Sequence, residues 1–207
     1  MRKVRYNAQA VLSHRRPNLK LHEVDAAAWA DLELAGKNPS SGLRYVNLCS
    51  VGPNGDPQAR LVVLRSANGK VRTIEIHTDT RSQKWREIGA NRSVTVLAFD
   101  PTRGQQLRLR GTAERHGPGS TVATDAWDRL SPWTRATYAG GQPGNALTYK
   151  RHLAAEHGDA IGMDIFGVIL FRACELDWFQ LARVANRRVM FSYGSGGKLL
   201  DAREVNP

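Results

Sequence analysis

Arg60-Leu-Val-Val-Leu-Arg65, followed after a turn by the alternating stretch Val71 to Thr78 and then by Asp79-Thr-Arg-Ser82-Gln-Lys84, decides the fold. Asn68-Gly69 supplies the turn between two apolar-rich runs, which is a hairpin signal. In the second run Ile74, Ile76 and Thr78 alternate with Thr73, Glu75 and His77, so one face is apolar. Thr80 with Gln83 forms a possible capping box for a short helix holding Trp85 and Ile88, ending near Gly89 or Asn91. The unit is strand, turn, strand, helix. It gathers cations where a helix start offers free backbone N–H groups to an anion, so a phosphorylated ligand is the first expectation.

Outward from this unit the pattern repeats. Leu43 to Val51 reads as a strand, turned by Pro53-Asn-Gly-Asp-Pro57 into Gln58 to Ser66. Ser93 to Phe99 and Gln105 to Glu114 form another antiparallel pair around Asp100-Pro-Thr-Arg-Gly104. From Gly117 to Gly158 the sequence changes to helices separated by a Gly-Gly-Gln-Pro-Gly loop, with Trp127, Leu130, Trp133 and Leu153 among polar residues. Strands resume at Phe166 to Phe171 and Glu175 to Ala182, and Arg187 to Tyr193 pairs with Lys198 to Val205. Upstream, Asp25 is placed to cap a helix through about Ala35, ended by Gly36. Antiparallel runs with inserted helices predict a mainly β barrel decorated by short helices. No GxGxxG or Walker A sequence supports a parallel nucleotide-binding sheet.

The chain has 207 residues and a formal charge of +11; Arg supplies 23 of its 30 basic residues. Guanidinium groups match phosphate and carboxylate oxygens in a bidentate fork, which suits nucleotides, nucleic acids or acidic cofactors. Nucleic acid is disfavoured, since no strand interleaves aromatic and basic residues in the manner of RNA-binding sheets. Cys49 and Cys174 stand 125 positions apart, outside any Cys/His cluster, so neither a metal nor a disulfide is signalled. The basic start, Met1-Arg-Lys-Val-Arg, lacks the apolar run of a secretory signal, and a cytoplasmic protein without membrane spans is expected.

In this order of elements the motifs resemble the pyridoxamine 5′-phosphate oxidase-like family of FMN-binding split barrels. The family's Arg-x-Val-Leu-Leu-Lys strand corresponds to Arg60, Leu61, Val62, Val63, Leu64 and Arg65. Its aromatic-Thr followed by Ser-Arg-Lys corresponds to His77-Thr78 followed by Ser82, Gln83 and Lys84. A Gln-x-x-x-x-Gly pattern recurs at Gln106 to Gly111, and the family's Trp and Arg ten residues apart look like Trp178 and Arg188. The resemblance covers about residues 40 to 207. It implies a Greek-key split β-barrel spanning 41–207, with a helical insertion at about 118–158, behind a basic arm and helix at 1–40.

The same resemblance implies FMN held at the interface of a homodimer. Arg60, Arg65, Ser82 and Lys84 would hold the phosphate and neighbouring flavin atoms, with Thr78 as a hydroxyl donor and Gln106 on the polar edge of the ring. Trp178 and Arg188 would come from the partner chain. Two positions depart from the family at this site: Arg65 stands for its Lys, and Gln83 for its Arg, a loss that Arg81 is placed to offset.

Larger departures fall where the family's namesakes hold their substrate. Their Tyr-x-x-x-Arg-Pro-x-x-Ser aligns with Trp127 to Arg135, losing the Tyr, the Arg and the Ser, and their Arg-x-His aligns with Val184-Ala-Asn186. Arg129 and Arg135 remain as candidates for a shifted anion site. The resemblance therefore implies an FMN-dependent oxidoreductase with an altered substrate, its donor, acceptor and catalytic residues unassigned. The alternative is a flavin- or deazaflavin-binding carrier or sensor without turnover.

Overall fold

The structure, a computed structural model, describes residues 19–146 and 158–207. The basic arm of residues 1–18 and the helix expected around Leu153 lie outside the described residues. In chain order the elements are α1 (Leu21–Lys37), β1 (Tyr45–Val51), β2 (Pro57–Asn68), β3 (Thr73–Asp79), α2 (Gln83–Ala90), β4 (Ser93–Asp100) and β5 (Gln105–His116). There follow α3 (Thr121–Asp128), α4 (Pro132–Ala136), α5 (Gly158–Ile165), β6 (Phe166–Gln180), β7 (Arg187–Tyr193) and β8 (Leu199–Val205).

Every strand pair is antiparallel, in the order β3-β2-β1-β4-β5-β6-β7-β8. A further β3–β6 pairing closes the first six of these into a barrel. Period-2 alternation fills its interior: Val46 and Leu48, Val62 and Leu64, Ile74 and Ile76, Val94 and Val96, Leu107 and Leu109, Ile169 and Phe171 are all buried. The mainly β split barrel with short helices is therefore observed.

β6 is one strand of 15 residues, where the sequence suggested two. Its first half pairs with β3 and its second half with β7, which is how the barrel splits. The apparent break is a bulge: Arg110 faces Glu175 and Gly111 faces Ala173, leaving Cys174 as the extra residue. A Cβ on Gly111 would lie 2.0 Å from the Arg172 carbonyl oxygen, so the close strand approach requires glycine.

Two helix starts also differ from the sequence reading. α1 begins four residues before Asp25, with the Glu23 carboxylate accepting from the Lys20 N–H at 2.7 Å. Gly36 lies within it, Lys37 being its last residue. Asp25 faces inward: its carboxylate accepts from the Tyr193 hydroxyl and the Arg72 guanidinium, each at 2.6 Å. Val24, Ala28, Trp29 and Leu32 bury the same helix face in the core. At α2 the N-cap is Ser82, not Thr80.

The excursion between β5 and β6 carries a second small core, in which Ala123, Ala126 and Trp127 pack on Phe166 and Val168. This seats α3 against the start of β6. Among the described residues no helix is long and apolar enough to cross a membrane.

Candidate functional site

Alternation along β2 divides the six residues of the first motif between two faces. Val62 and Leu64 point into the barrel, whereas Leu61, Val63 and Arg65 point outward, Leu61 being 67% exposed. On the outer side lies a pocket of about 340 Å³. One wall is Leu61, Val62, Val63 and Arg65 of β2, with His77, Thr78 and Asp79 of β3 and Lys84 of α2. The other wall comes from the excursion: Thr137, Tyr138, Gly140, Gly141 and Pro143.

Two cations in this pocket stand out by what they lack. Among the described residues Arg65 and Lys84 have no ion pair or hydrogen bond to a side chain, and the Arg65 Nε is buried without a partner. Burial and the nearby Arg60 charge push the Lys84 ammonium below its usual range. An anion in the pocket would relieve both effects. Next to Lys84, the buried Thr78 and Ser82 hydroxyls lie 3.2 Å apart at the start of α2, whose dipole also favours negative charge.

Arg60 lies on the opposite face from Arg65. Its guanidinium donates to Ser50 Oγ and to the buried Glu87 carboxylate, the latter at 2.8 Å, so it braces α2 against the barrel. Leu64 is a core residue, and Gln83 is exposed. Arg81, the residue placed to offset that loss, has partners of its own. It forms an ion pair with Asp79 at 2.8 Å and donates to the Gly140 carbonyl at 3.0 Å, tying the excursion to β3.

His77 occupies the wall with a defined set of neighbours. Its Nε2 lies 2.7 Å from Glu75 Oε1, and its ring meets Phe166 edge-on at 5.0 Å. Glu75 also accepts from Arg129 at 3.0 Å. Despite burial, the His77 and Arg129 contacts hold the Glu75 carboxyl below its usual range. Burial, helped by Arg65 and Arg129, lowers His77 although Glu75 opposes it. Tyr138 faces it from the excursion, its ring wedged edge-on against Phe166 at 5.1 Å and Trp127 at 5.9 Å. Burial pushes the Tyr138 hydroxyl up to about 12.

Gln106, Trp178 and Arg188 do not line this pocket within the one chain. Gln106 and Arg188 both register with Phe179, placing them in one row across β5, β6 and β7. Trp178 packs against the core, and Arg188 forms a forked pair with Asp177 at 2.9 and 2.8 Å. Val184 is 85% exposed, and Asn186 accepts from the Ala182 N–H. Arg129 is engaged by Glu75, and Arg135 donates to the Trp127 and Asp128 carbonyls. Sequence reasoning did not single out Asp79, Tyr138 or the Gly140–Pro143 wall, because their approach depends on the excursion folding back.

With this geometry in view, likeness to known proteins becomes specific. Residues 26–117 match the family described as pyridoxamine 5′-phosphate oxidase, FMN-binding domain. Pyridoxine/pyridoxamine 5′-phosphate oxidase 2 of Arabidopsis thaliana is 25% identical over 87% of this chain and 98% of its own length. The pyridoxine/pyridoxamine 5′-phosphate oxidase of Mannheimia succiniciproducens is 32% identical, over 43% of this chain and 40% of its own length. Among solved structures, a pyridoxamine 5′-phosphate oxidase-related, FMN-binding protein of Nostoc punctiforme superposes with a TM-score of 0.75 at 21% identity, covering 87% of this chain and 96% of that one. Over residues 26–117 the chain is similar to the FMN-binding domain of pyridoxamine 5′-phosphate oxidases, and its fold is that of the FMN-binding split barrels.

The domain that residues 26–117 match is described as FMN-binding, and FMN is the cofactor it implies. The two pocket cations, the neighbouring Thr78 and Ser82 hydroxyls and the helix start suit its phosphate, and the apolar strip of Leu61 and Val63 suits a flat ring.

Proposed function

We propose that this protein is an FMN-dependent oxidoreductase, working as a homodimer, on a substrate other than pyridoxamine 5′-phosphate. The observation that carries the reading is the pair of pocket cations, Arg65 and Lys84, which form no ion pair among the described residues, in a chain whose arginines are otherwise widely paired. Bound FMN would supply two-electron chemistry, accepting and returning a hydride equivalent. The chain's own groups would do the rest. Arg65, Lys84 and Thr78 bind the anionic end, with Ser82 behind Thr78, the Leu61–Val63 strip excludes water from the ring, and the excursion wall covers it.

The homodimer is supported by the outer face of the sheet bordering the pocket, where Tyr45 is 60%, Leu61 67% and Phe99 43% exposed. A partner across that face would cover these side chains and bring its own row of Gln106 and Arg188 toward the ring. The different substrate is supported by Val184 and Asn186 in place of anion-binding groups, and by the engagement of Arg129 with Glu75. That engagement also favours the second reading, a flavin holder without turnover.

The test is a visible absorption spectrum of freshly purified protein, with mass identification of any released chromophore. A yellow protein releasing FMN is expected, and colourless protein that fails to take up added FMN sinks the proposal. Release of a deazaflavin instead would move the cofactor assignment. Turnover is then read by reduction of the bound flavin with a panel of amines, reduced nicotinamides and pyridoxamine 5′-phosphate. Reduction by a donor other than the last is expected, and none by any donor assigns the second reading.

A further inference from the structure

The outer face of the sheet is built in two unlike halves. Strand register carries one unbroken row from β2 to β7, in the order Leu61, Asn47, Leu97, Arg108, Asp177, Met190. Beside it Phe99, Gln106, Phe179 and Arg188 continue a second row from β4 to β7. Paired residues share a face, so these side chains stand on the side of the sheet that bears the pocket strip of Leu61 and Val63. In these rows the half on β2, β1 and β4 is uncharged, and the half on β5, β6 and β7 carries Arg108, Asp177 and Arg188.

Asp177 is the hub of the charged half. Its side chain is 4% exposed, and it accepts from Arg188 Nε and Nη2 at 2.9 and 2.8 Å and from Arg108 Nη2 at 2.7 Å. Burial pushes the carboxyl up, but the contacts with Arg188 and Arg108 outweigh it and hold the group below its usual range. The three side chains therefore carry one net positive charge. Arg188 is left with Nη1, which has no partner among the described residues and keeps surface of its own, its side chain being 33% exposed.

The homodimer proposed above covers this face, and a twofold interface must complement itself. The two halves meet at the β4–β5 seam, so an axis along that seam sets the charged half of each subunit on the uncharged half of the other and lays β7 over the partner's β2. An axis across the strands would set two net positive halves on each other. Over β2, Arg188 Nη1 meets the partner's Leu61, which has no side-chain acceptor, so the molecule lying on that strip must supply one. An arginine free to rotate loses conformational freedom when it meets a ligand; one already forked on a carboxylate has little left to lose.

We propose that Asp177 is a positioning residue for the flavin site of the other subunit: it holds Arg188 with Nη1 outward, toward an acceptor oxygen of the ring, and Arg108 braces it from the opposite side. The inference rests on the FMN homodimer proposed above and adds Asp177 and Arg108 to its site.

FMN titration by flavin fluorescence on the whole protein carries the test. Asp177→Asn should weaken FMN roughly 3- to 10-fold in the parent protein and cause no further loss in Arg188→Ala, because Asp177 acts only through Arg188. Arg188→Lys keeps the charge but cannot form the fork, and should lose about as much with the carboxylate untouched. Mixed dimers of Lys84→Ala and Asp177→Asn subunits should regain the parental affinity at one of their two sites, since one site then holds both defects and the other neither. Parental affinity in Asp177→Asn or in Arg188→Lys overturns the proposal, and so does a further loss in the double variant. An Asp177→Asn chain that fails to fold leaves the decision to Arg188→Lys. Protein that is monomeric or takes up no FMN overturns the homodimer reading and this inference together, whereas an FMN-binding dimer indifferent to these substitutions overturns the inference alone.

Discussion

Arg65 and Arg60 carry the same charge on one strand and do different work, because five residues of separation put them on opposite faces. Arg60 is spent on Glu87, whereas Arg65 and Lys84 keep their charge for the pocket. Arg65→Ala and Lys84→Ala should therefore each weaken FMN binding about 10- to 100-fold, the size of a lost charge-assisted hydrogen bond, with little change in melting temperature. Flavin fluorescence titration and thermal unfolding measure the two effects separately. His77 makes the complementary prediction for pH. Its pKa is lowered in the folded state and near 6.5 when unfolded, so the unfolded chain binds more protons and stability falls as pH drops through about 6.5. Tm measured between pH 7.5 and 5.5 should show this loss, and His77→Phe should flatten it. The histidine was visible in the sequence as a replacement of an aromatic, but its surroundings were not, since Arg129 and Phe166 reach Glu75 and His77 from the excursion and from β6.

At the scale of elements, the strands were legible because alternation is imposed on each one by the barrel interior. The hairpin β2–β3, the pairs β4–β5 and β7–β8, and α2 all fall within a few residues of where pattern and turn residues place them. Bulges and caps were less legible, because they depend on partners remote in sequence. Arg172-Ala-Cys-Glu175 breaks the alternation of β6 and reads as a gap until Gly111 is seen across from it. Gly111→Ala should drive a methyl into the Arg172 carbonyl and cost roughly 2–4 kcal/mol, as overpacking of a tight site does. Urea unfolding would measure it, and an unchanged midpoint would mean that β5 and β6 part at little cost. Asp25 misled for a similar reason: an acidic residue near a helix start looks like a cap, and only the distant Tyr193 and Arg72 show it to be a buried tie.

For the whole molecule, the exposed apolar face around Leu61 and Tyr45 argues for assembly. Leu61→Glu should shift the sedimenting species from dimer toward monomer and weaken FMN retention with it, whereas a monomeric parent protein at micromolar concentration would remove the basis for a shared site. The tie between α1 and β7 holds the two ends of the single chain together. Asp25→Ala leaves Arg72 buried without its carboxylate and should cost about 3–5 kcal/mol, read as a lower Tm.

That tie joins residues 168 positions apart. On a ribosome adding ~5–20 residues per second, α1 emerges ~8–34 s before Tyr193 exists to hold it. During synthesis its apolar stripe of Val24, Ala28, Trp29 and Leu32 is therefore a waiting surface. The nascent chain must shelter in a chaperone or in transient contacts what the finished protein seals with one carboxylate.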